Sequence, residues 1–225
     1  MKTILIIEDE KVIRESVAFY FIHNGYEVLT AKDGEEGLEL FATNQVDLVI
    51  LDIMLPKVDG WSVCRRIRKQ STTPVILLTA RSDEEDTLLG FDLGADDYVT
   101  KPFKPSILLA RAKRLLKAVE KLEVGANDIK LCGIHLDKSA RIVTVEGEQV
   151  PLTWTEFELL RSLMEHKEQV LTRETLMVAI WGYEYIGDDK ALNTHIRNLR
   201  HKLGEKAKHI ATIIRVGYKF EVHTA

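Results

Sequence analysis

Val49-Ile50-Leu51-Asp52-Ile53-Met54-Leu55-Pro56 is the stretch whose reading decides the fold. An apolar run without polar alternation suits a parallel strand covered on both faces. Here the run ends in a carboxylate, so Asp52 lies where a buried strand reaches the surface. In open α/β sheets that carboxyl end of the strands is where ligands bind. Three other segments aim at the same edge. Ile4-Leu5-Ile6-Ile7 ends in Glu8-Asp9, Val75-Ile76-Leu77-Leu78 ends in Thr79, and Tyr98-Val99-Thr100 ends in Lys101-Pro102. Three carboxylates, a hydroxyl and an ammonium thus converge on one rim.

Working outward, the first half alternates strands with helices. Strands are predicted at 3–7, 27–31, 47–51, 75–79 and 97–100. Helices are predicted at 11–24, 34–44, 61–69, 83–93 and 105–121, with Gly25 and Gly94 as stops after two of them. This alternation reads as a parallel sheet with helices on both faces.

The rim has a chemical reading. Mg²⁺ takes carboxylate oxygens and usually binds through one or two carboxylates plus a phosphate. Glu8, Asp9 and Asp52 are the candidate ligands. Thr79 and Lys101 are suited to phosphoryl oxygens, one by hydroxyl and one by charge, and a carboxylate can act as the nucleophile in phosphoryl transfer. Each residue alone is an ordinary polar strand end. Five of them in one ordered βα array argue against that reading.

These residues carry a resemblance. Glu8-Asp9, Asp52 followed by Met54-Leu55-Pro56 and Asp59-Gly60, Thr79-Ala80, Gly94-Ala95-Asp96-Asp97-Tyr98 and Lys101-Pro102-Phe103 resemble a two-component receiver domain with its flavodoxin-like doubly wound sheet. The resemblance implies that Asp52 is the phosphoacceptor. It also implies that Asp9, Asp52 and the Met54 carbonyl bind Mg²⁺ with Glu8 assisting through water, that Thr79 and Tyr98 form a switch pair, and that the Lys101-Pro102 peptide is cis.

Composition agrees with a globular chain long enough for two modest domains, at 225 residues and 45% hydrophobic content. No apolar run approaches the ~20 residues needed to span a bilayer. Met1 leads straight into a strand, so no signal peptide is expected. Cys64 and Cys132 match no metal spacing and read as free thiols of a cytoplasmic protein. The net charge of −4 is unevenly placed, with 17 Lys+Arg against 21 Asp+Glu in residues 1–124 and 14 against 14 in the rest. Between Lys190 and Lys208 six basic residues face one acid, Glu205, with His195, His201 and His209 in or beside the cluster. A basic stripe on one element is an electrostatic footprint for phosphates.

After a polar, glycine-containing stretch at 124–128 the grammar changes. Segments 129–136, 141–145 and 148–150 read as an antiparallel meander with Glu146-Gly147 as a turn. Thr153 or Thr155 can cap a helix over 155–166, with Glu156 or Glu158 in its first turn. Further helices are predicted at 173–180 and 190–203, and a hairpin at 210–222 around Arg215-Val216-Gly217. In the third helix Leu192, Ile196, Leu199 and Leu203 recur as a buried stripe. Lys190, Thr194, Arg197 and His201 are read as lying opposite, with Asn193 and Asn198 on the flanks. Basic side chains contact phosphates and Asn pairs bidentately with adenine. A solvated charged helix is the plain alternative.

The wider pattern favours the groove reading. Leu152-Thr153-Trp154-Thr155-Glu156-Phe157-Glu158, Val170-Leu171-Thr172-Arg173-Glu174, Trp181-Gly182-Tyr183, Asn193 to Leu203 and Gly217-Tyr218-Lys219-Phe220 resemble the winged helix-turn-helix effector of the OmpR/PhoB family, an α+β domain. The resemblance implies a recognition helix in the major groove of double-stranded promoter DNA. On that helix Lys190, Asn193, Thr194, His195, Arg197, Asn198 and Arg200 are the expected contacts. The resemblance implies a wing at the minor groove, and RNA polymerase as the partner of loop 181–189. It also implies a sensor histidine kinase as phosphodonor and a homodimer on activation. The expected division is a receiver at 1–121, a linker at 122–128 and a DNA-binding domain at 129–225.

Two positions depart from the pattern. Where the family's wing usually carries Arg-Gly, Ile214-Arg215 stands here. Ile214 is expected to serve packing and Arg215 to reach the DNA. On the dimer face, where relatives pair a base with a glutamate, Thr87 and Ile107 stand here. Asp96, Asp97, Arg111 and Lys113 remain for its other ion pairs, with Leu88 and Phe91 as an apolar patch. A protein-docking module that does not read DNA is an alternative that the basic helix disfavours. A catalytic effector finds no nucleophile–base constellation after residue 125.

Overall fold

Leu48–Asp52 (β3) is buried at every residue and forms the centre of a five-stranded parallel sheet. The computed structural model describes residues 1–79, 93–120, 128–182 and 189–222. The chain divides into two compact units, Met1–Val119 and Glu120–Ala225.

In the first unit the elements are β1 (Thr3–Ile7), α1 (Lys11–His23), β2 (Glu27–Ala31), α2 (Gly34–Thr43), β3, α3 (Gly60–Arg68), β4 (Val75–Thr79), β5 (Asp97–Thr100) and α4 (Pro105–Glu120). The strand order is β2-β1-β3-β4-β5, the flavodoxin-like doubly wound order. Alternate residues of a strand face opposite ways. Leu5, Ile7, Val49, Leu51, Val75 and Leu77 pack with Val63, Cys64 and Ile67 of α3, while Ile4, Ile6, Ile50 and Ile76 alternate with them and are also fully buried. Burial of both sets is why the strands read as unbroken apolar runs. Burial pushes the Cys64 thiol up to about 11, which keeps it protonated and inert.

Helix starts follow local chemistry. Asp33 caps α2 by accepting from the Glu35 and Glu36 N–H groups at 3.1 and 3.0 Å. Asp59 caps α3 by accepting from the Ser62 N–H at 2.9 Å. The predicted helix 83–93 lies outside the described residues except for its last position, as do Ala80, Thr87, Leu88, Phe91 and all of the predicted linker but Asp128.

The second unit opens with β6 (Ile129–Leu131), β7 (Ile134–Asp137), β8 (Ile142–Val145) and β9 (Glu148–Gln149), an antiparallel sheet in sequence order. The predicted segment 129–136 is therefore two strands. They turn at Cys132-Gly133, with φ of 53° and 80°, and β8 and β9 turn at Glu146-Gly147, with φ of 50° and 91°. Positive φ at both central residues is what a tight two-residue hairpin requires.

Next come α5 (Trp154–Glu165), β10 (Leu171–Thr172), α6 (Arg173–Trp181), α7 (Asp189–Leu203), a 3₁₀ turn (Gly204–His209), β11 (Ile210–Ile213) and β12 (Gly217–Phe220). Sheet β10-β12-β11 closes the unit. Thr153 is the α5 cap. Its hydroxyl accepts from the Glu156 N–H at 3.3 Å, and its own N–H donates to the Glu156 carboxylate at 2.8 Å, a reciprocal capping box. Arg141 joins the first sheet to α5, its guanidinium 4.3 Å from the Phe157 ring centroid and donating to Glu158 at 2.8 Å. Among the described residues no helix is long and apolar enough to cross a membrane.

Candidate functional site

The parallel register assembles the acidic rim. Ile7 pairs with Leu51, Asp52 with Leu78 and Thr79 with Thr100. The residues that follow or end these strands are therefore neighbours. Glu8 and Asp52 are buried and Asp9 is exposed, and oxygens of the three carboxylates lie within 4.8 Å of one another. The Lys101 ammonium donates to Asp52 Oδ2 at 2.7 Å and to Glu8 Oε1 at 2.8 Å. Its backbone N–H donates to the Thr79 carbonyl at 2.7 Å, which keeps Lys101 beside Thr79, itself buried. The Lys101-Pro102 peptide is cis. Asp52 Oδ1 accepts from the Met54 N–H at 3.1 Å.

The charge balance leaves room for a cation. Burial pushes the Glu8 carboxyl up to about 7, the Asp52 charge adds to that rise, and Lys101 opposes it. Glu8 Oε2 is buried and accepts no hydrogen bond, although the Lys101 ammonium lies 2.8 Å from it. A hard divalent ion takes such oxygens as ligands, so the donor set fits Mg²⁺.

Arg14 is a neighbour that the sequence reading missed. Its guanidinium donates to the Glu8 and Asp9 carbonyls at 2.6 and 3.0 Å, tying α1 to the acidic turn. Gly60 is another. The Gly60 N–H donates to the Ile53 carbonyl at 2.9 Å, and a Cβ there would lie 2.1 Å from the Asp52 carbonyl oxygen and 2.7 Å from the Ile53 Cα. Both obstacles are backbone, so the turn that carries Asp52 would have to move. Gly60→Ala is expected to destabilise the chain by about 1–3 kcal/mol, read as a lower urea midpoint. An unchanged midpoint would show that the turn yields freely.

The second cluster lies on α7. Leu192, Ile196, Leu199 and Leu203 form its buried stripe as predicted. The outer stripe is Lys190, Asn193, Arg197 and His201, all exposed. Thr194 and His195, predicted as contacts, are buried at 5% and 1% exposure. This corrects the reading of Thr194 as lying opposite the apolar stripe. α5 and α6 both pack on α7 and widen its covered arc, with the Trp181 ring 5.6 Å from that of His195. Arg200 is turned onto the hairpin, donating to the Ile210 carbonyl at 2.6 Å and the Thr212 hydroxyl at 2.7 Å. Asn198 is half-buried. Lys202 donates to buried Glu156 at 2.6 Å.

Arg173, at the start of α6, also escaped the sequence reading. It donates to Asn193 Oδ1 at 2.5 Å and lies 5.4 Å from the Tyr218 ring centroid. The Tyr218 hydroxyl donates to the same Asn193 oxygen at 2.7 Å. Asn193 is thus bound to both α6 and β12. At the hairpin tip Ile214 is 81% exposed, which corrects the expectation that it serves packing, and Arg215 beside it is exposed at φ 63°.

Residues 4–113 match the family described as response regulator receiver domain, and residues 147–220 match transcriptional regulatory protein, C terminal. The chain is 42% identical to the uncharacterized transcriptional regulatory protein YclJ of Bacillus subtilis, covering 97% of this chain and 98% of YclJ. It is 40% identical to the response regulator ArlR of Staphylococcus aureus, over 97% of this chain and 99% of ArlR. The crystal structure of DrrB, an OmpR/PhoB homologue from Thermotoga maritima, superposes with a TM-score of 0.54 at 36% identity, over 98% and 99% of the two chains. The chain belongs to the OmpR/PhoB family of response regulators. It joins a receiver domain to an OmpR-type DNA-binding domain and is a transcriptional regulator of a two-component system.

The expected dimer face of this response regulator looks different in the structure. Asp96 and Asp97 are fully buried. Asp96 accepts from Arg68 at 2.8 Å and from the Val75 N–H at 3.0 Å. Asp97 accepts from Arg111 at 2.8 and 3.0 Å and from Arg114 at 3.0 Å. These carboxylates therefore hold their own receiver together rather than standing ready for a partner. Lys113 donates weakly to Asn24 at 3.5 Å. Ile107 is 46% exposed, so it does not pack inside the receiver core.

Proposed function

We propose that a sensor histidine kinase in the cytoplasm transfers a phosphoryl group to Asp52, and that the phosphorylated regulator binds double-stranded promoter DNA as a homodimer. One observation carries the reading: a buried carboxylate, Asp52, with an ammonium 2.7 Å away and the Thr79 hydroxyl at the end of the adjacent strand. An Asp52 oxygen forms the new P–O bond as the P–N bond to the kinase histidine breaks and the imidazole leaves. The Met54 N–H orients the carboxylate through Oδ1. Lys101 and Thr79 meet the phosphoryl oxygens, one by charge and one by hydroxyl. Glu8, Asp9, Asp52 and the Met54 carbonyl would hold Mg²⁺, which would offset the repulsion between the carboxylate and the incoming group.

Tyr98 is half-buried against the α3 side of the core, and with Thr79 it forms the switch pair that moves on phosphorylation. The dimer face lies on α4, around Ile107. Dimerisation puts two α7 helices on repeated half-sites and raises affinity by effective concentration. Lys190 and Arg197 meet phosphates, and Asn193 and Asn198 lie toward base edges. RNA polymerase is the partner of loop 181–189, whose residues 183–188 lie outside the described set. The division into a receiver at 1–121, a linker at 122–128 and a DNA-binding domain at 129–225 belongs to the same proposal.

Filter binding of the full chain to pooled genomic fragments tests the DNA reading. Enrichment of a few fragments sharing a repeated half-site is expected. Retention no better than for random DNA would favour a protein-docking module instead.

A further inference from the structure

Asn193 stands on the exposed stripe of α7 with half of its hydrogen-bonding capacity already used. A side-chain amide has one acceptor oxygen with two lone pairs and one nitrogen with two donors. Both lone pairs of Oδ1 are occupied, one by the Arg173 guanidinium at 2.5 Å and one by the Tyr218 hydroxyl at 2.7 Å. Chemistry fixes which way round the amide lies. A guanidinium has no acceptor, so it can face only the oxygen, and an oxygen without a proton leaves the phenol to donate as well. Nδ2, on the other arm of the amide, makes no hydrogen bond among the described residues.

Both donors are themselves held in place. Tyr218 is 3% exposed and lies on the central strand of its sheet, paired with Leu171 of β10 and Thr212 of β11. The Arg173 and Arg200 guanidiniums lie 5.4 and 5.7 Å from its ring centroid, and Arg200 is bonded to β11 in turn. The Arg173 N–H donates to the Val216 carbonyl at 3.1 Å. Asn193 is therefore presented to α7's outer side as a fixed pair of donors. Bidentate pairing with adenine needs the amide oxygen to accept from N6 while the nitrogen donates to N7. That oxygen is occupied, which corrects the adenine expectation for this residue. Guanine instead presents two acceptors side by side in the major groove, N7 and O6. Adenine sets a donor beside its acceptor, thymine a methyl group, and cytosine offers a donor.

We propose that Asn193 selects guanine at one base pair of the half-site read by α7, with Tyr218 and Arg173 as positioning residues that set this choice by occupying its oxygen. The selection rests on the DNA reading above and adds a base identity to it. Tyr218 acts through Asn193 and touches no base, so loss of its hydroxyl should change which base is chosen rather than how tightly DNA in general is held.

The experiment is fluorescence anisotropy of the full chain and its Asn193→Ala, Asn193→Asp and Tyr218→Phe variants. The probes are labelled duplexes built on the genomic fragment that the wild type retains best, with each base pair of one half-site changed in turn. At a single pair the wild type is expected to hold guanine over adenine by roughly tenfold, and Asn193→Ala to show no preference there. Asn193→Asp keeps an oxygen for Arg173 and Tyr218 but has no donors, so it should lose the guanine preference too. Because Asn193 is exposed, neither change threatens the fold. Tyr218→Phe frees one lone pair of Oδ1, and adenine should gain on guanine at that pair by roughly threefold while the other pairs keep their preferences. Another base preferred at that pair, variants of Asn193 that weaken every duplex alike, or an unchanged ratio of guanine to adenine in a folded Tyr218→Phe would overturn the selection and leave the DNA reading intact. A wild type that retains no duplex better than random DNA would overturn the DNA reading and the selection with it.

Discussion

Asp52→Asn is expected to abolish labelling of the chain by a small phosphodonor. The amide oxygen is a poor nucleophile, so the new P–O bond does not form. The change is nearly isosteric, and the fold should survive it. Lys101 keeps Glu8 as a partner at 2.8 Å, and an amide oxygen can still accept from the Met54 N–H. Loss of the Asp52 charge also removes one contribution that pushes Glu8 upward. Intact-mass measurement at neutral pH should show an acid-labile phosphoryl adduct on the wild type and none on the variant. An adduct at full yield in Asp52→Asn would move the acceptor to another carboxylate, with Asp9 the nearest exposed one.

Asp97→Ala is expected to cost about 3–5 kcal/mol of stability, because it strands buried cations without their counter-charge. Asp97 is fully buried, and Arg111 and Arg114 both donate to it. Burial already holds the Arg114 guanidinium below its usual range, and Asp97 is the first group opposing that shift. Asp97 also accepts from the Tyr98 N–H at 2.8 Å, so its loss frees a backbone donor beside the proposed switch residue. Asp97→Asn keeps an acceptor for that donor and should cost less. Urea unfolding measures both. A loss below about 1 kcal/mol for Asp97→Ala, the range of an exposed ion pair, would contradict the account. The same pairing bears on dimerisation, since Arg111 and Asp97 reach across an interface only by giving up this bond.

The receiver was legible because its strands are buried on both faces. That burial leaves unbroken apolar runs, and the residue ending each run is the rim residue. β3 extends through Asp52 itself, one position beyond the predicted end. The second unit was harder to read where a turn lacked its usual residues. Glu146-Gly147 breaks two short runs with a charge and a glycine and so announces a hairpin, whereas Cys132-Gly133 puts an apolar residue at its turn, inside a run that reads as continuous. Two strands were therefore read as one. Thr194 and His195 were misplaced for a different reason. Helical spacing predicts one apolar stripe, but α7 is packed by two helices, and the width of its buried arc is a tertiary property. Arg14 acts on the backbone carbonyls of the preceding loop and Arg173 on an amide 20 residues away, and a pattern of side-chain types carries no trace of either. Asp96 and Asp97 look like surface acids in a charged segment, and only the arginines of α3 and α4 reveal them as buried anchors.

The central claim is that the state of Asp52 controls how tightly α7 and its wing hold DNA. The most direct measurement is the affinity of wild type and Asp52→Asn for the best-retained genomic duplex, with Mg²⁺ present, before and after a small phosphodonor is added. The account predicts that the phosphodonor tightens binding by the wild type and leaves Asp52→Asn where it was. An equal gain in both proteins, or none in a wild type shown by mass to be phosphorylated, would contradict it.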